Sequence, residues 1–104
     1  MALLNELIHQ PARLRIMAAL VALEPGSQME FTYLRDLLDL SDGNLGAHLR
    51  KLEGFGYVEI KKTFVLRKPR TYAAATKRGR NAFEVHVKAL ETIIHLKEKE
   101  IQNP

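Results

Sequence analysis

The sequence predicts an α+β fold that is mostly helical, with five helices and one β-hairpin in 104 residues. Apolar residues recur every three or four positions in five segments, a spacing typical of amphipathic helices. Residues 57–66 instead are rich in β-branched and aromatic types and alternate apolar with polar side chains, which predicts a strand, and residues 71–75 are expected to return as its partner. Hydrophobic residues make up 46% of the chain and charged residues 27%, as in globular proteins. The length supports one hydrophobic core, so we expect a single domain over residues 1–104.

The first two predicted helices lie close together. Residues 3–9 carry four apolar side chains at helical spacing. The second helix begins at Pro11, because the missing N–H of a proline would have no partner in a first turn anyway, and it runs to about Leu23. The sequence Pro-Gly-Ser at 25–27 ends it.

Two further helices follow a short extended piece at residues 29–31. Thr32 is the expected N-cap of the third helix, with Leu34, Leu37 and Leu38 on its buried face. Ser41 is the expected N-cap of the fourth helix, which spans residues 42–53. Its apolar side chains at helical spacing are predicted to face inward, and they are Leu45, Leu49 and Leu52.

A hairpin and a long helix complete the predicted elements. The first strand spans residues 57–66, a basic turn occupies residues 67–70, and the second strand spans residues 71–75. Thr76 is the expected cap of a final helix from Lys77 to roughly Glu100, which would be about 36 Å long.

The composition excludes several classes of function. The absence of cysteine excludes disulfide scaffolds, thiolate nucleophiles and cysteine-ligated zinc. No stretch approaches 18 apolar residues, so no membrane span is expected, and the first ten residues lack the basic start of a secretory signal. There is no phosphate-binding loop or dinucleotide fingerprint, and the two serines are in no nucleophile context. We therefore expect a cytoplasmic protein that is not an enzyme and needs no cofactor.

Positive charge is concentrated in one third of the chain. Residues 43–80 contain ten basic and two acidic residues, a net charge of +8, whereas the remainder nets −4. Such polarity favours a polyanion bound on one side of the domain, although a basic surface also serves solubility.

Five segments in order along nearly the whole chain match a known pattern: PARLRIM at 11–17, FTYLRDLL at 31–38, SDGNLGAHLRKLEGFGYV at 41–58, RKPRTY at 67–72 and TKRGR at 76–80. Together they resemble the small winged-helix transcriptional regulators related to MarR and ArsR. The resemblance implies a winged helix-turn-helix with a two- or three-stranded wing and a long C-terminal dimerisation helix. It also implies a homodimeric repressor or activator from a bacterium or archaeon.

The fourth helix is the expected recognition helix, because the major groove admits one helix whose first turns meet the base edges. Asn44 is suited to a bidentate contact with adenine, and His48 to a base edge or a phosphate. The resemblance implies that the positions of Asn44, Gly46, Ala47 and His48 face the groove, with Gly46 in place of a common serine. The residues predicted to contact DNA from this helix are Gly43, Asn44, Gly46, Ala47, His48, Arg50 and Lys51.

Three features of this helix have two interpretations each. Gly43 and Gly46 each cost the helix up to about 1 kcal/mol relative to alanine, which is explained either by close approach to the sugar–phosphate backbone or by tolerance of a frayed first turn. Asp42 either stabilises the helix dipole or accepts a hydrogen bond from a cytosine. Arg50 and Lys51 either contact phosphates or form a solvated face.

The hairpin is the second predicted contact, a wing over residues 61–70. Its tip is expected to contain Pro69, with Arg67 and Arg70 as the candidates for the minor groove. The alternative is a charged edge that prevents aggregation of the sheet. Its basic residues are Lys61, Lys62, Arg67, Lys68 and Arg70, and beyond the wing Lys77, Arg78 and Arg80 are expected near the same surface.

The final helix carries two apolar rows, whereas a helix that covers a small domain needs only one. Pairing of the two termini across a two-fold axis would bury the second row, and would place two recognition helices about 34 Å apart on a pseudo-palindrome. The alternative is a monomer whose last helix folds back over its own core. The expected dimer interface comprises residues 3–9 and 77–100, in particular Leu3, Leu4, Leu7, Phe83, Val87, Leu90 and Ile94.

Other candidates give weaker signals. His86 and His95 are nine residues apart and so on opposite sides of a helix, which argues against a metal site and favours His86 as a core residue. Arg13 and Arg15 oppose a helix dipole and so need a partner, either an acid such as Glu6 or a phosphate. The alternative function is a protein-interaction or RNA-binding module. RNA binding is disfavoured because the aromatic residues of the basic third are mostly expected inward, and these are Phe55, Tyr57, Phe64 and Tyr72.

Overall fold

A computed structural model describes the backbone of residues 3–102 and the side chains of residues 3–96. The chain order is α1 Glu6–His9, α2 Pro11–Val21, β1 Met29–Glu30, α3 Phe31–Leu38, α4 Asp42–Gly54, β2 Val58–Val65, β3 Lys68–Ala75 and α5 Lys77–Gln102. This order confirms the predicted α+β class and the order of its elements. The expected domain limits at residues 1 and 104 lie outside the described residues, and the single domain stays a prediction.

The core lies where α2, α3 and α4 pack together against the sheet and α1. The three predicted core leucines of α4 are buried, with at most 1% of their surface exposed. Leu37 was wrongly assigned to the core: 52% of its side chain is exposed, because the eight-residue α3 buries only one narrow stripe through Leu34 and Leu38. The fully buried Ile16 of α2 was not predicted.

Helix caps decide where most of the helices begin. The Ser41 hydroxyl accepts from the Asn44 N–H at 3.1 Å, and the Thr76 hydroxyl accepts from the Gly79 N–H at 2.9 Å, which confirms both predicted caps. The prediction for Thr32 is wrong, because pairing of β1 with β3 keeps the chain extended through Glu30 and α3 begins at once at Phe31.

The first two helices are shorter than predicted. Asn5 caps α1 by accepting from the Ile8 N–H at 3.1 Å, so α1 spans Glu6–His9 rather than residues 3–9. α2 ends at Val21 rather than Leu23. The Arg80 guanidinium donates to the carbonyls of Val21 and Leu23 at 3.1 and 2.9 Å and so satisfies this end of the helix.

The three strands form an antiparallel sheet in the order β1-β3-β2. Val65 pairs with Lys68, so the hairpin turns at Leu66 and Arg67, which have φ values of 52° and 66°. Two positive φ values in a two-residue loop define a type I′ turn. The predicted turn at residues 67–70 is therefore wrong, and Pro69 lies in β3 opposite Phe64. A proline is tolerated there because β1 pairs with β3 only at Tyr72 and Ala73, which leaves one edge of β3 free at Pro69.

α5 has 26 residues and is about 39 Å long. Its first turns pack against α1, α2 and β3, with Gly79, His86 and Ala89 buried. Every described side chain from Glu91 to Leu96 is exposed. The radius of gyration is 16.0 Å, compared with about 13 Å for a compact domain of 100 residues. α5 therefore extends away from the domain that its first half covers.

Candidate nucleic-acid interface

The turn between α3 and α4 is fixed by one arginine. Arg35 donates to Asp36 at 2.9 Å and to Asp42 at 2.8 Å, and these two carboxylates raise the pKa of its guanidinium. Asp39 ends α3 in the left-handed region, with a φ of 53°. Asp42 thus links the first turn of α4 to α3, a role beyond the helix dipole that the sequence did not reveal.

The outward face of α4 is accessible along its length. Asn44 is exposed one turn into the helix, where its backbone N–H is already bonded to Ser41 and its side-chain amide makes no hydrogen bond within the described residues. The other exposed residues of this face are Asp42, Gly43, Ala47, Arg50 and Lys51. Gly46 and His48 are half-buried.

The two glycines of α4 differ in their surroundings. A Cβ at Gly43 would meet nothing within 4 Å, whereas a Cβ at Gly46 would lie 3.2 Å from an Arg50 guanidinium nitrogen. The Arg50 side chain therefore folds back over Gly46, one turn earlier. Gly46 makes room for this guanidinium, a contact that neither interpretation from the sequence included.

His48 is contacted by Arg13 of α2, on the side of the imidazole that faces the domain. The Arg13 guanidinium lies 3.3 Å from His48 Nδ1 and donates through Nε to the Leu7 carbonyl at 2.6 Å. Burial, followed by the charges of Arg13 and Lys51, lowers the pKa of His48. A neutral His48 accepts at Nδ1 and has Nε2–H left to donate. Within the described residues the partners of Arg13 are therefore a carbonyl and a histidine, and Glu6 is not one of them.

Several arginines of the basic segments are bound within the chain. Arg15 donates to the Leu38 carbonyl at 2.8 Å rather than to an acid. Arg78 stacks over the Tyr57 ring at 5.8 Å, and Arg80 caps α2, so both hold α5 to the domain. Arg70 forms an ion pair with Glu30 at 2.9 Å. The Thr32 hydroxyl, and after it Arg70, lower the pKa of Glu30.

The position of Arg70 differs from the prediction. It was expected at the tip of the wing, but it lies in β3 opposite Thr63, next to the end of the sheet that pairs with β1. Of the two arginines predicted for the minor groove, Arg67 is in the turn at the tip.

Six cations of α4 and the wing are exposed and, within the described side chains, pair with no carboxylate. They are Arg50, Lys51, Lys61, Lys62, Arg67 and Lys68. Arg50 and Lys62 also line a cleft of about 600 Å³ between α4 and the wing, together with Gly46 and Thr71. The cleft lining also contains the carboxylates of Asp42 and Glu53, so the cleft itself has no net positive charge. The exposed cations of α4 and the wing lie on two neighbouring elements, an arrangement suited to phosphates.

Two of the four aromatic residues expected inward are exposed. Phe55 is 52% exposed and Phe64 is 74% exposed, whereas Tyr57 is buried and Tyr72 half-buried. Phe64 is exposed because β2 extends beyond the core that its first residues help to form. The aromatic argument against RNA binding is therefore weaker than the sequence indicated.

His86 is a fully buried core residue, as predicted. Its Nδ1 accepts from the Asn5 N–H at 2.9 Å, so the ring is neutral and carries its proton on Nε2, which has no partner among the described residues. His9 lies edge-on at 5.3 Å. Residues 3–96 contain no cluster of three or more metal-ligating side chains.

We predict that acid destabilises the fold through His86. Burial, and then the nearby His9, lower its pKa below the usual 6.5, against an opposing effect of Glu6. The folded state then binds fewer protons than the unfolded state, so the free energy of unfolding falls as the pH drops below about 6.5. Urea unfolding at several pH values should show a shallower dependence for His86→Gln than for the wild type. The control His95→Gln, at an exposed site, should keep the wild-type slope, and equal slopes for all three proteins would contradict the prediction.

Three compact helices, a turn fixed between the last two, and a hairpin with unpaired cations define a winged helix-turn-helix protein. Comparison with known proteins identifies the family. The chain belongs to the family of winged helix DNA-binding domains, whose model matches residues 12–94. An uncharacterized protein of Methanocaldococcus jannaschii is 39% identical over 82 residues, which cover 79% of this chain and 86% of that protein.

Solved structures show the same fold. A transcriptional regulator homologue from Pyrococcus horikoshii OT3 matches with a TM-score of 0.79 and 32% identity, over 88% of this chain and 87% of that one. A transcriptional regulator of the MarR family from Enterococcus faecalis V583 matches with a TM-score of 0.68 and 24% identity, over 92% and 80% of the two chains. The winged-helix fold that the resemblance implied is thereby confirmed. Within the described residues, no helix has the length and apolar character to cross a bilayer.

Proposed function

We propose that the chain is a homodimeric transcriptional regulator that binds double-stranded DNA in a sequence-specific manner. The observation that carries this proposal is the group of six unpaired cations on α4 and the wing, in a chain of a DNA-binding family. The names of the structural relatives as transcriptional regulators support the regulatory role.

In the proposed complex, α4 lies in the major groove and the wing contacts the backbone or the minor groove. Asn44 and the Nε2–H of His48 supply base contacts, while Gly43 and Ala47 let the helix approach closely. Gly46 leaves room for the Arg50 guanidinium on the same face. Five of the six unpaired cations are proposed to supply affinity through phosphates, and they are Arg50, Lys51, Lys62, Arg67 and Lys68. Arg70 adds to the positive field from its ion pair with Glu30 rather than from the tip.

The dimer is proposed from the outer half of α5. Ile94 is 56% exposed on a helix that has left its own domain, and Ile93 beside it is also exposed. A projecting apolar helix is not stable alone in water, so a second copy is the simplest partner. Leu3 is exposed and Leu4 half-buried near the other end of the chain, whereas Leu7 and Phe83 pack partly on their own core. Val87 and Leu90 are half-buried and lie between Phe83 and Ile94 along α5.

A salt titration tests the DNA-binding function. We expect the affinity for a pool of duplexes of about 24 base pairs to fall steeply with salt, with a slope that corresponds to several phosphates. Selection from random duplexes at physiological salt should yield a pseudo-palindrome with half-sites one helical turn apart. Absence of duplex binding at low salt would overturn the proposal.

Two single substitutions distinguish a residue that determines the preference for a DNA sequence from a residue that determines overall affinity for DNA. Asn44→Ala should relax the preference at one base position of each half-site and cost about 1–3 kcal/mol on the selected duplex. Arg67→Ala should weaken binding to all duplexes and reduce the salt slope by about one per subunit. Fluorescence anisotropy measures the affinity of both variants for the selected duplex and for random duplexes. Identical profiles for the two variants would contradict the assignment of roles.

A second candidate function is RNA binding, which the exposed Phe55 and Phe64 favour because RNA readers stack bases on aromatic rings. Competition between duplex DNA and single-stranded RNA at one salt concentration distinguishes the two. We expect duplex DNA to displace the RNA, and the reverse order would support the second candidate.

A further inference from the structure

The tip of the wing is apolar as well as basic. Phe64 is 74% exposed, Val65 is 40% exposed and Leu66 is 91% exposed. These three consecutive side chains are at the end of a hairpin, beyond the core, and so contribute little to the stability of the domain. Large exposed apolar groups that do not serve the core indicate a surface that meets a ligand.

The backbone conformation at Leu66 is unfavourable for leucine, so the stability of the fold does not explain why a leucine is present there. Leu66 is the first residue of the type I′ turn and has a φ of 52°. Turns of this type favour asparagine, aspartate or glycine, because the left-handed conformation is unfavourable for other side chains. Leucine here suits neither the turn nor the core. Strained residues of this kind are concentrated at functional sites.

The strand register shows which way Phe64 points. Side chains two apart on a strand share a face, so Phe64 lies on the same face of β2 as Ile60 and Lys62. Ile60 and Lys62 line the cleft that α4 closes on its other side. Phe64, with Pro69 opposite it, therefore continues the face of the wing that is turned towards the recognition helix.

The charges around the tip define the ligand. Residues 60–71 contain five basic residues and no acid. An apolar tip flanked by cations suits a polyanion that also offers apolar surface in a narrow groove. The DNA minor groove meets both requirements, because its walls are sugars and its floor is formed by base steps. An anionic membrane offers the same chemistry on a flat surface. The apolar tip instead continues the face of the wing that lines a cleft with α4, the helix proposed for the major groove.

We propose that Phe64 and Leu66 enter the minor groove as an apolar wedge beside Arg67. This inference rests on the proposed DNA-binding function and adds to it a contact that does not depend on salt. The wedge contributes affinity by apolar contact with sugars and base steps, whereas the neighbouring cations contribute by release of counterions.

The test uses substitutions that should not lower the stability of the fold, so that a loss of binding is not caused by unfolding. Leu66→Asn places a preferred residue in the turn, so the melting temperature should stay the same or rise. Phe64→Thr keeps a strand-forming residue, and its matched control is Val65→Thr on the opposite face of the same strand. We expect Leu66→Asn and Phe64→Thr each to bind duplex DNA about tenfold more weakly with an unchanged salt slope. The control should bind within about twofold of the wild type.

Each outcome separates the wedge from the proposed function. Wild-type affinity in both Leu66→Asn and Phe64→Thr would overturn the wedge while leaving DNA binding intact. A lower salt slope in these variants would also overturn it, because the loss would then be electrostatic. Netropsin, a minor-groove ligand, should abolish the difference between wild type and Leu66→Asn. Tighter binding of the wild type to phosphatidylserine vesicles than to duplexes would assign the tip to a membrane. Failure of the wild type to bind any duplex would overturn the proposed function itself.

Discussion

Gly79→Ala is expected to destabilise the fold by more than about 3 kcal/mol, which corresponds to a fall of at least roughly 10 °C in melting temperature. A Cβ at this position would lie 2.0 Å from the Tyr57 carbonyl oxygen. The carbonyl has little room to move, because it accepts from the Thr76 N–H at 3.0 Å at the point where α5 begins. Relief of the overlap would therefore separate α5 from the start of β2.

The control for this substitution is Gly43→Ala. Both glycines lie in the first turn of a helix that begins at a hydroxyl cap, but Gly43 has nothing within 4 Å of its missing Cβ. Alanine there should raise the free energy of unfolding by up to about 1 kcal/mol, because alanine favours the helix more than glycine does. Urea unfolding of both variants at one protein concentration gives the comparison. A Gly79→Ala protein within about 0.5 kcal/mol of the wild type would contradict the close contact with Tyr57.

Ile94→Glu is expected to dissociate the proposed dimer. A two-fold axis would bring two copies of the new carboxylate into the apolar contact, and burial of unpaired charges should weaken association by about 3 kcal/mol or more, roughly a hundredfold. Because two recognition helices would no longer be linked, the affinity for a two-half-site duplex should fall sharply, while that for a single half-site should change little.

Thr92→Glu is the matched control, since it adds the same charge to the same turn of α5 on the opposite side of the helix. The Thr92 side chain is exposed and its hydroxyl bonds back to the Lys88 carbonyl at 3.0 Å. Sedimentation equilibrium over a range of concentrations should give a dimer for wild type and Thr92→Glu and a monomer for Ile94→Glu. A wild-type monomer at all concentrations, or a dimer in all three proteins, would contradict the assigned interface.

Periodic patterns made most of the fold predictable from the sequence. Leucines at helical spacing located α4 and its buried face, and the hydroxyls of Ser41 and Thr76 located the starts of two helices. These signals are local, because a helix stripe or a cap depends on residues within one or two turns. The prediction failed at Thr32, where pairing of β1 with the distant β3 starts the helix two residues earlier.

The candidate site was predictable in its location but less so in its detail. A cluster of basic residues in sequence indicated the surface, yet which arginines are free depends on groups far along the chain. Arg70 meets Glu30 forty positions away, and Arg80 reaches the end of α2. The turn was misplaced because the basic run around Pro69 indicated a turn there. Neither Leu66 nor Arg67 is a glycine or an asparagine, so nothing in the sequence marked the type I′ turn.

The Arg13 side chain connects the amino-terminal segment to the proposed recognition helix. Arg13 bonds to the backbone of α1 at Leu7 and at the same time touches His48 on the helix that would read bases. Displacement of the amino-terminal segment either breaks the bond to Leu7 or carries the guanidinium with it, and in the second case the imidazole loses its support. In the proposed complex, a change in how two subunits meet near α1 would thus reach the base-contacting face of α4 through two contacts.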